Sequence, residues 1–209
     1  MGIAERCGGY MSEEKKQLEM CWIVTDDPIA FDLPDGYTME KYAVEKDKQA
    51  WCECCRDGML IDETQGTQAF DDSMSDGIVV NLYNDVFFLK YKGEAIGTVT
   101  AFVREDGNGE LHMVSIRPEY RGKGLSKYLN AVGKIRLQSA GAKYVFLTTD
   151  EFRKGAIKGY LSAGFLPVDN DADMQDRWER VLNDLDIDKT DLLKEDLSDK
   201  KTIFRSCYQ

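Results

Sequence analysis

One run constrains this chain more than any other: Ile116-Arg117-Pro118-Glu119-Tyr120-Arg121-Gly122-Lys123-Gly124-Leu125-Ser126-Lys127. An apolar, strand-like stretch ends at proline, passes through Arg-Gly-x-Gly and opens directly into an amphipathic helix. Glycines before a helix let backbone amides converge on a ligand, and the helix dipole favours negative charge there. The run therefore reads as an anion cradle. It is not a Walker loop, because Gly122-Lys123 is followed by Gly124 rather than Ser or Thr and Arg117 holds the first glycine position. It is not the dinucleotide fingerprint either, since Lys127 stands where the third glycine belongs.

The formal charge of -11 argues against a nucleic-acid partner and suits a cationic acceptor such as an amine. An anionic ligand would then depend on a local basic patch, which Arg117, Arg121, Lys123 and Lys127 supply. No apolar stretch reaches the roughly 18 residues of a membrane span, and residues 1–19 lack an apolar signal core. A cytoplasmic protein without a membrane partner is the expectation. The six cysteines, at 7, 21, 52, 54, 55 and 207, form no paired C-x-x-C framework. Trp51, Cys52, Cys55 and Met59 fall at helical spacing, which favours a buried stripe over a soft-metal site at Cys52, Cys54 and Cys55.

The organisation divides into an N-terminal extension (1–34) with a short strand at 20–24, a core (35–170), and a C-terminal helix with a charged tail (171–209). A possible strand spans 37–43, helices are expected over 46–59 and 62–75, and a loop over 71–77. From residue 85 the pattern sharpens. Strands are expected over 86–91 and 95–103, joined by a turn at Lys92-Gly93-Glu94, and a third over 110–116. Strict alternation in that third strand puts His112, Val114 and Ile116 on one face and Leu111, Met113 and Ser115 on the other. Leu125, Tyr128, Leu129, Val132 and Ile135 share one helical face, and residues 144–148 form a continuous apolar strand. A helix over 153–162 leads to a short strand at 165–168, and a further helix carries Met174, Trp178, Val181, Leu182 and Leu185. Residues 186–201 are charge-rich and expected to be loosely attached, with a final edge strand at 203–208. Hairpins followed by helical crossovers imply a mixed α/β sheet with helices on both faces.

The segment Arg153-Lys154-Gly155-Ala156-Ile157-Lys158-Gly159-Tyr160-Leu161-Ser162-Ala163-Gly164-Phe165 completes a recognisable order: hairpin, strand, glycine loop, helix, strand, helix, Gly-Phe strand. Over roughly residues 86–168 this resembles the GNAT superfamily of acetyltransferases, whose loop pattern is Gln/Arg-x-x-Gly-x-Gly/Ala. Ser126 holds the last small position here, and Arg153 stands where many relatives place Asn.

The resemblance implies a single-domain, mostly antiparallel twisted sheet with a splay between the fourth and fifth core strands. It implies acetyl-CoA as co-substrate, no metal, and direct transfer to a primary amine within a ternary complex. Coenzyme contacts would come from the main chain of Val114, Ser115 and Ile116, and from the loop Arg121, Gly122, Lys123, Gly124, Leu125 and Ser126. Arg153 is a further phosphate donor. Tyr160 matches the general acid toward the coenzyme sulfur, although Ile157, Tyr160 and Leu161 also share one face as core residues do. His112, the only histidine, and Glu110 compete as general base. Trp51, Phe70 and Glu53 are candidates for the acceptor pocket, with packing or solvation the competing explanation. A homodimer through an edge strand is compatible with such a fold. Alternatives are a different acyl donor, a hydroxyl acceptor, or an acyl-CoA-binding domain without turnover.

Overall fold

Nearly every residue of the apolar runs at 86–91 and 94–103 is buried, which requires cover on both faces of the sheet they build. The computed structural model describes residues 15–56, 64, 66–75 and 80–206. In chain order these form β1 (Leu18–Ile23), β2 (Tyr37–Lys41), α1 (Asp47–Cys55), α2 (Gln68–Ser75), α3 (Leu82–Asp85), β3 (Val86–Tyr91), β4 (Glu94–Val103) and β5 (Gly109–Ile116). They continue as α4 (Ser126–Ser139), β6 (Tyr144–Thr149), α5 (Lys154–Ser162), β7 (Leu166–Asp169), α6 (Met174–Leu185), β8 (Lys189–Lys194) and β9 (Lys200–Phe204). The strands join in the order β2-β3-β4-β5-β6-β1-β7-β8-β9. All neighbours run antiparallel except β5–β6 and β7–β8. The mixed, mostly antiparallel sheet is the one expected.

Alternation in β3 sorts its side chains into two cores. Phe87 and Leu89 join the cluster under α4, α5 and α6, whereas Val86 and Phe88 join Trp51, Phe70 and Met74 from α1 and α2. The turn between β3 and β4 is Lys92-Gly93, with φ of 50° and 85°. Two left-handed residues match the twist of a tight antiparallel hairpin, and glycine takes the second at little cost.

Four expectations change. The strand expected in the N-terminal extension lies inside the sheet, pairing β6 from Leu18↔Thr149 to Ile23↔Tyr144 and touching β7 on its other edge. Helix α1 covers only part of 46–59, and Met59 lies outside the described residues. Helix α2 ends at Ser75 as expected but begins only at Gln68, and it fills the expected loop from 71 to 75, because Met74 is buried and the Ser75 hydroxyl bonds back to the Asp71 carbonyl; Asp76 and Gly77 lie outside the described residues, as do Cys7, Cys207 and Tyr208. The tail expected to be loose forms the β8–β9 hairpin, which buries Leu192, Leu193 and Ile203 beneath ion pairs such as Lys201–Asp169 (3.0 Å).

Helix α4 approaches the sheet closely at Gly133, where an added Cβ would stand 2.5 Å from Leu111 Cδ2. Gly133→Ala should therefore destabilise the fold by about 1–3 kcal/mol. Urea unfolding followed by circular dichroism measures it, and an unchanged midpoint would refute this close packing.

Candidate functional site

Strands β5 and β6 hold together over only two register pairs, Gly109↔Val145 and Glu110↔Phe146. Beyond them β5 runs on to Ile116 along β4, and β6 runs on to Thr149 along β1. The facing edges thus separate, as the family resemblance implies for this position. Gly109 permits the closed end: a Cβ there would lie 2.9 Å from Leu137 and 3.1 Å from Val145.

The open edge carries a bulge. Thr98 pairs with Ser115 but Thr100 pairs with His112, so β5 gains one residue, and Met113 adopts φ 52°. The extra residue resets the alternation. Leu111, Val114 and Ile116 belong to the core under α4, whereas Met113 packs in the α1/α2 core. The His112 ring reaches the Ser73 carbonyl of α2 (3.2 Å), and the Ser115 hydroxyl donates to the Cys54 carbonyl in the last turn of α1 (2.7 Å). The expectation that His112 shares a face with Val114 and Ile116 is corrected accordingly. His112 lies on the side of α1 and α2, and no residue type at 113 announced the shift.

After β5 the chain makes a single tight turn at Pro118–Tyr120 and enters the glycine loop. Gly122 and Gly124 have φ of 73° and 70°, and a Cβ on either would meet nothing within 4 Å. Backbone conformation, not crowding, demands glycine here. No side chain caps α4, so its first amides are not taken by a capping group. The cations around the loop are partly engaged. Arg117 pairs with Glu94 (2.5 Å) and Glu119 (2.9 Å), and Arg121 Nε donates to the Ile116 carbonyl (2.8 Å). Lys123 lies 4.9 Å over Tyr120 and donates to the Glu119 carbonyl (3.2 Å), and Lys127 lies 4.8 Å over Tyr128. Leu125 is buried, and the Ser126 hydroxyl faces Gly159 of α5 instead of the loop.

Tyr160 sits on α5, 7% exposed, with its ring edge-on to Phe165. Burial pushes its phenol up to about 12, and the Arg153 guanidinium pulls the other way. Arg153 precedes α5, is held by Asp150 (3.0 Å) and lies 5.4 Å over the exposed ring of Phe152. Glu110 accepts from Arg104 (2.7 Å) at the closed end of the β5–β6 pair. For His112, burial lowers the imidazole pKa, and the Glu110 charge and the Ser73 bond offset part of that. A carbonyl only accepts, so that bond assigns the proton to Nε2 and leaves a lone pair on Nδ1.

Trp51 and Phe70 are fully buried, edge to face at 5.2 Å, so they pack instead of lining a pocket. Glu53 is exposed. The cysteine stripe is buried as expected, and burial lifts the Cys54 thiol to about 12, far from a reactive thiolate. Among the described residues no group of three or more His, Cys, Asp or Glu is placed to hold a metal.

This geometry can be set beside known proteins. The model of the Acetyltransferase (GNAT) family matches residues 59–165, just over half of the chain. The chain belongs to this family. Its curated relatives include a mycothiol acetyltransferase of Thermomonospora curvata, 26% identical over 159 residues covering 74% of this chain and 53% of that protein. Another, from Nocardiopsis dassonvillei, is 29% identical over 152 residues covering 67% and 46%. The chain thus spans about half the length of the curated relatives it matches. A solved GCN5-related N-acetyltransferase of Sphaerobacter thermophilus shares the fold, with a TM-score of 0.57 at 20% identity over 73% of this chain and 49% of that one.

The lowered pKa of His112 sets a sign. The folded protein binds that proton less readily than the unfolded chain, so stability is intact above about pH 6.5 and is lost as pH falls toward the folded pKa. Relative to His112→Gln, the natural protein should lose unfolding free energy between pH 7 and pH 5. Parallel stability curves for the two would contradict the assignment.

Proposed function

We propose that the chain is an acetyl-CoA-dependent N-acetyltransferase that moves an acetyl group directly to a primary amine of its acceptor. The observation that carries this reading is the pair of diverging edges of β5 and β6 beside an open two-glycine loop at the α4 N-terminus. Main-chain groups of Val114, Ser115 and Ile116 line the unpaired edge of β5 and bind the amides of the pantetheine arm. The loop from Arg121 to Ser126 offers amides and the helix dipole to the pyrophosphate. Arg153, once drawn from Asp150, adds a phosphate donor.

Bound acetyl-CoA supplies the activated carbonyl and the thiolate leaving group. The chain's residues hold the reactants together and manage two protons. His112 Nδ1 takes the proton the amine loses as its C–N bond forms, directly or through one water. Because burial keeps the imidazole neutral near pH 7, the lone pair is available without prior deprotonation. Glu110, committed to Arg104, is the weaker candidate for base and instead biases the imidazole. As the C–S bond breaks, the Tyr160 hydroxyl donates to the sulfur. A phenol near 12 stays protonated at working pH, and the Arg153 cation eases release of its proton. The acidic chain suits an amine that arrives as a cation. That relatives are named mycothiol acetyltransferases supports acetyl transfer as the reaction.

Thiol release from acetyl-CoA, measured against panels of amines and alcohols, tests the reading. Amine-dependent release is expected; release only with alcohols, or tight acetyl-CoA binding without release, would replace it with one of the alternatives. Tyr160→Phe should lower kcat by about 100-fold or more while coenzyme affinity by calorimetry changes little. Unchanged turnover removes Tyr160 from the mechanism. His112→Ala should abolish the acidic limb that the imidazole contributes to the kcat profile, and an unaltered profile would return the base role to another group.

A further inference from the structure

Ser126, Asn130 and Lys134 recur every fourth residue of α4 and make a polar ridge against α5. The Ser126 hydroxyl lies 3.1 Å from where a Cβ on Gly159 would stand. Asn130 Nδ2 points at the Gly159 carbonyl at 3.5 Å, the outer limit of a hydrogen bond, and that carbonyl already accepts from the Ala163 amide. Lys134 Nζ donates to the Ala163 carbonyl at 2.8 Å, closing the C-terminal end of α5.

Asn130 is the costly member of this ridge. It is fully buried beside Leu129, and its Oδ1 has no partner among the described residues. A leucine at the same place would fill the space with no unmet acceptor, and a buried polar atom without a partner lowers stability. Core positions that stay polar against that cost are where sequence rules give way to function. Gly159, the residue Asn130 addresses, immediately precedes Tyr160.

We propose that Asn130 is a positioning residue: with Ser126 it fixes the spacing of α5 against α4 at Gly159, and so sets where the Tyr160 phenol stands relative to the glycine loop. The proposal rests on the reading of Tyr160 as the group that meets the departing sulfur. Glycine at 159 lets the two helices approach, and the Asn130 amide sets how closely they do so.

Asn130→Leu in the full chain is the test, because it removes the polar group without opening a cavity. The melting temperature should rise by a few degrees as the unmet acceptor disappears. Over the same change kcat should fall about 10- to 100-fold with the KM for acetyl-CoA unaltered, the signature of a displaced reacting group. The ζ-carbon NMR resonance of Tyr160, assigned by its loss in Tyr160→Phe, should shift in parallel. A higher melting temperature with kcat and the resonance unchanged would overturn the proposal, leaving Asn130 a packing fault. A lower melting temperature would also overturn it, by making Asn130 a structural tie. Should the natural protein acetylate no amine, the reading of Tyr160 fails by itself, and the resonance still decides whether Asn130 places the phenol.

Discussion

Two strands that pair for two residues and then part are the constraint on which the rest of this molecule depends. Backbone groups on a parted edge have lost their ladder, and buried backbone polar groups tolerate that only when something else meets them. Each parted strand must therefore be held firmly from its other side. Strand β5 is held by β4 along its length, and β6 by β1 over six consecutive pairs. The short N-terminal strand is thus no appendage: without it β6 would be open on both sides from Leu147 onward. Its approach is itself clamped. Buried Arg177 joins Glu151 (2.5 Å) to the Lys16 carbonyl (2.7 Å), and Gln17 donates to Asp150 (2.8 Å). Helix α6 and the approach to β1 together lock the loop that leads from β6 into α5.

The bulge in β5 has consequences in both layers. One added residue turns His112, Met113 and Ser115 toward α1 and α2 while Val114 and Ile116 stay with α4. Ser115 satisfies a carbonyl in the last turn of α1, a position every helix leaves without an internal partner. His112 does the same for Ser73 in α2. Helices α1 and α2 are therefore docked by polar residues of the strand that borders the proposed coenzyme cleft. A shift of register in β5 would disturb both.

What was legible in the sequence was what local chemistry dictates. Gly122 and Gly124 announce left-handed backbone, Lys92-Gly93 announces a tight hairpin, and the spacing of Leu125, Tyr128 and Leu129 announces the buried face of α4. What escaped is non-local or has no marker. Period-two alternation assumes one residue per step, and Met113, apolar like its neighbours, gives no sign of an inserted one. The insertion of β1 between β6 and β7 depends on contacts more than a hundred residues away in sequence. The β8–β9 hairpin hides its three buried apolar residues among charges that cancel in pairs once the strands align. Trp51 and Phe70 read equally as pocket or core until their burial was seen.

On the proposed reading an acidic chain holds an anionic donor, and the cations near the loop carry less of that task than their number suggests. Arg117 is neutralised by two glutamates and Arg153 is held by Asp150, while Arg121 is turned onto the end of β5. Their ion pairs would have to be exchanged for any phosphate contact, and exposed pairs of this kind contribute little net energy either way. Besides Lys127, which lies over Tyr128, the groups that no side chain caps are the first backbone amides of α4 and the left-handed glycines before them. Such donors are fixed in place by the fold, lose no side-chain freedom on binding, and act where the helix dipole adds to them. The side chains then serve mainly to brace the loop: Arg121 ties it to Ile116, Lys123 to Glu119, and Ser126 seats the helix on α5. The proposed anion site is thus built mainly from main chain, which is why its clearest mark in the sequence is a pair of glycines.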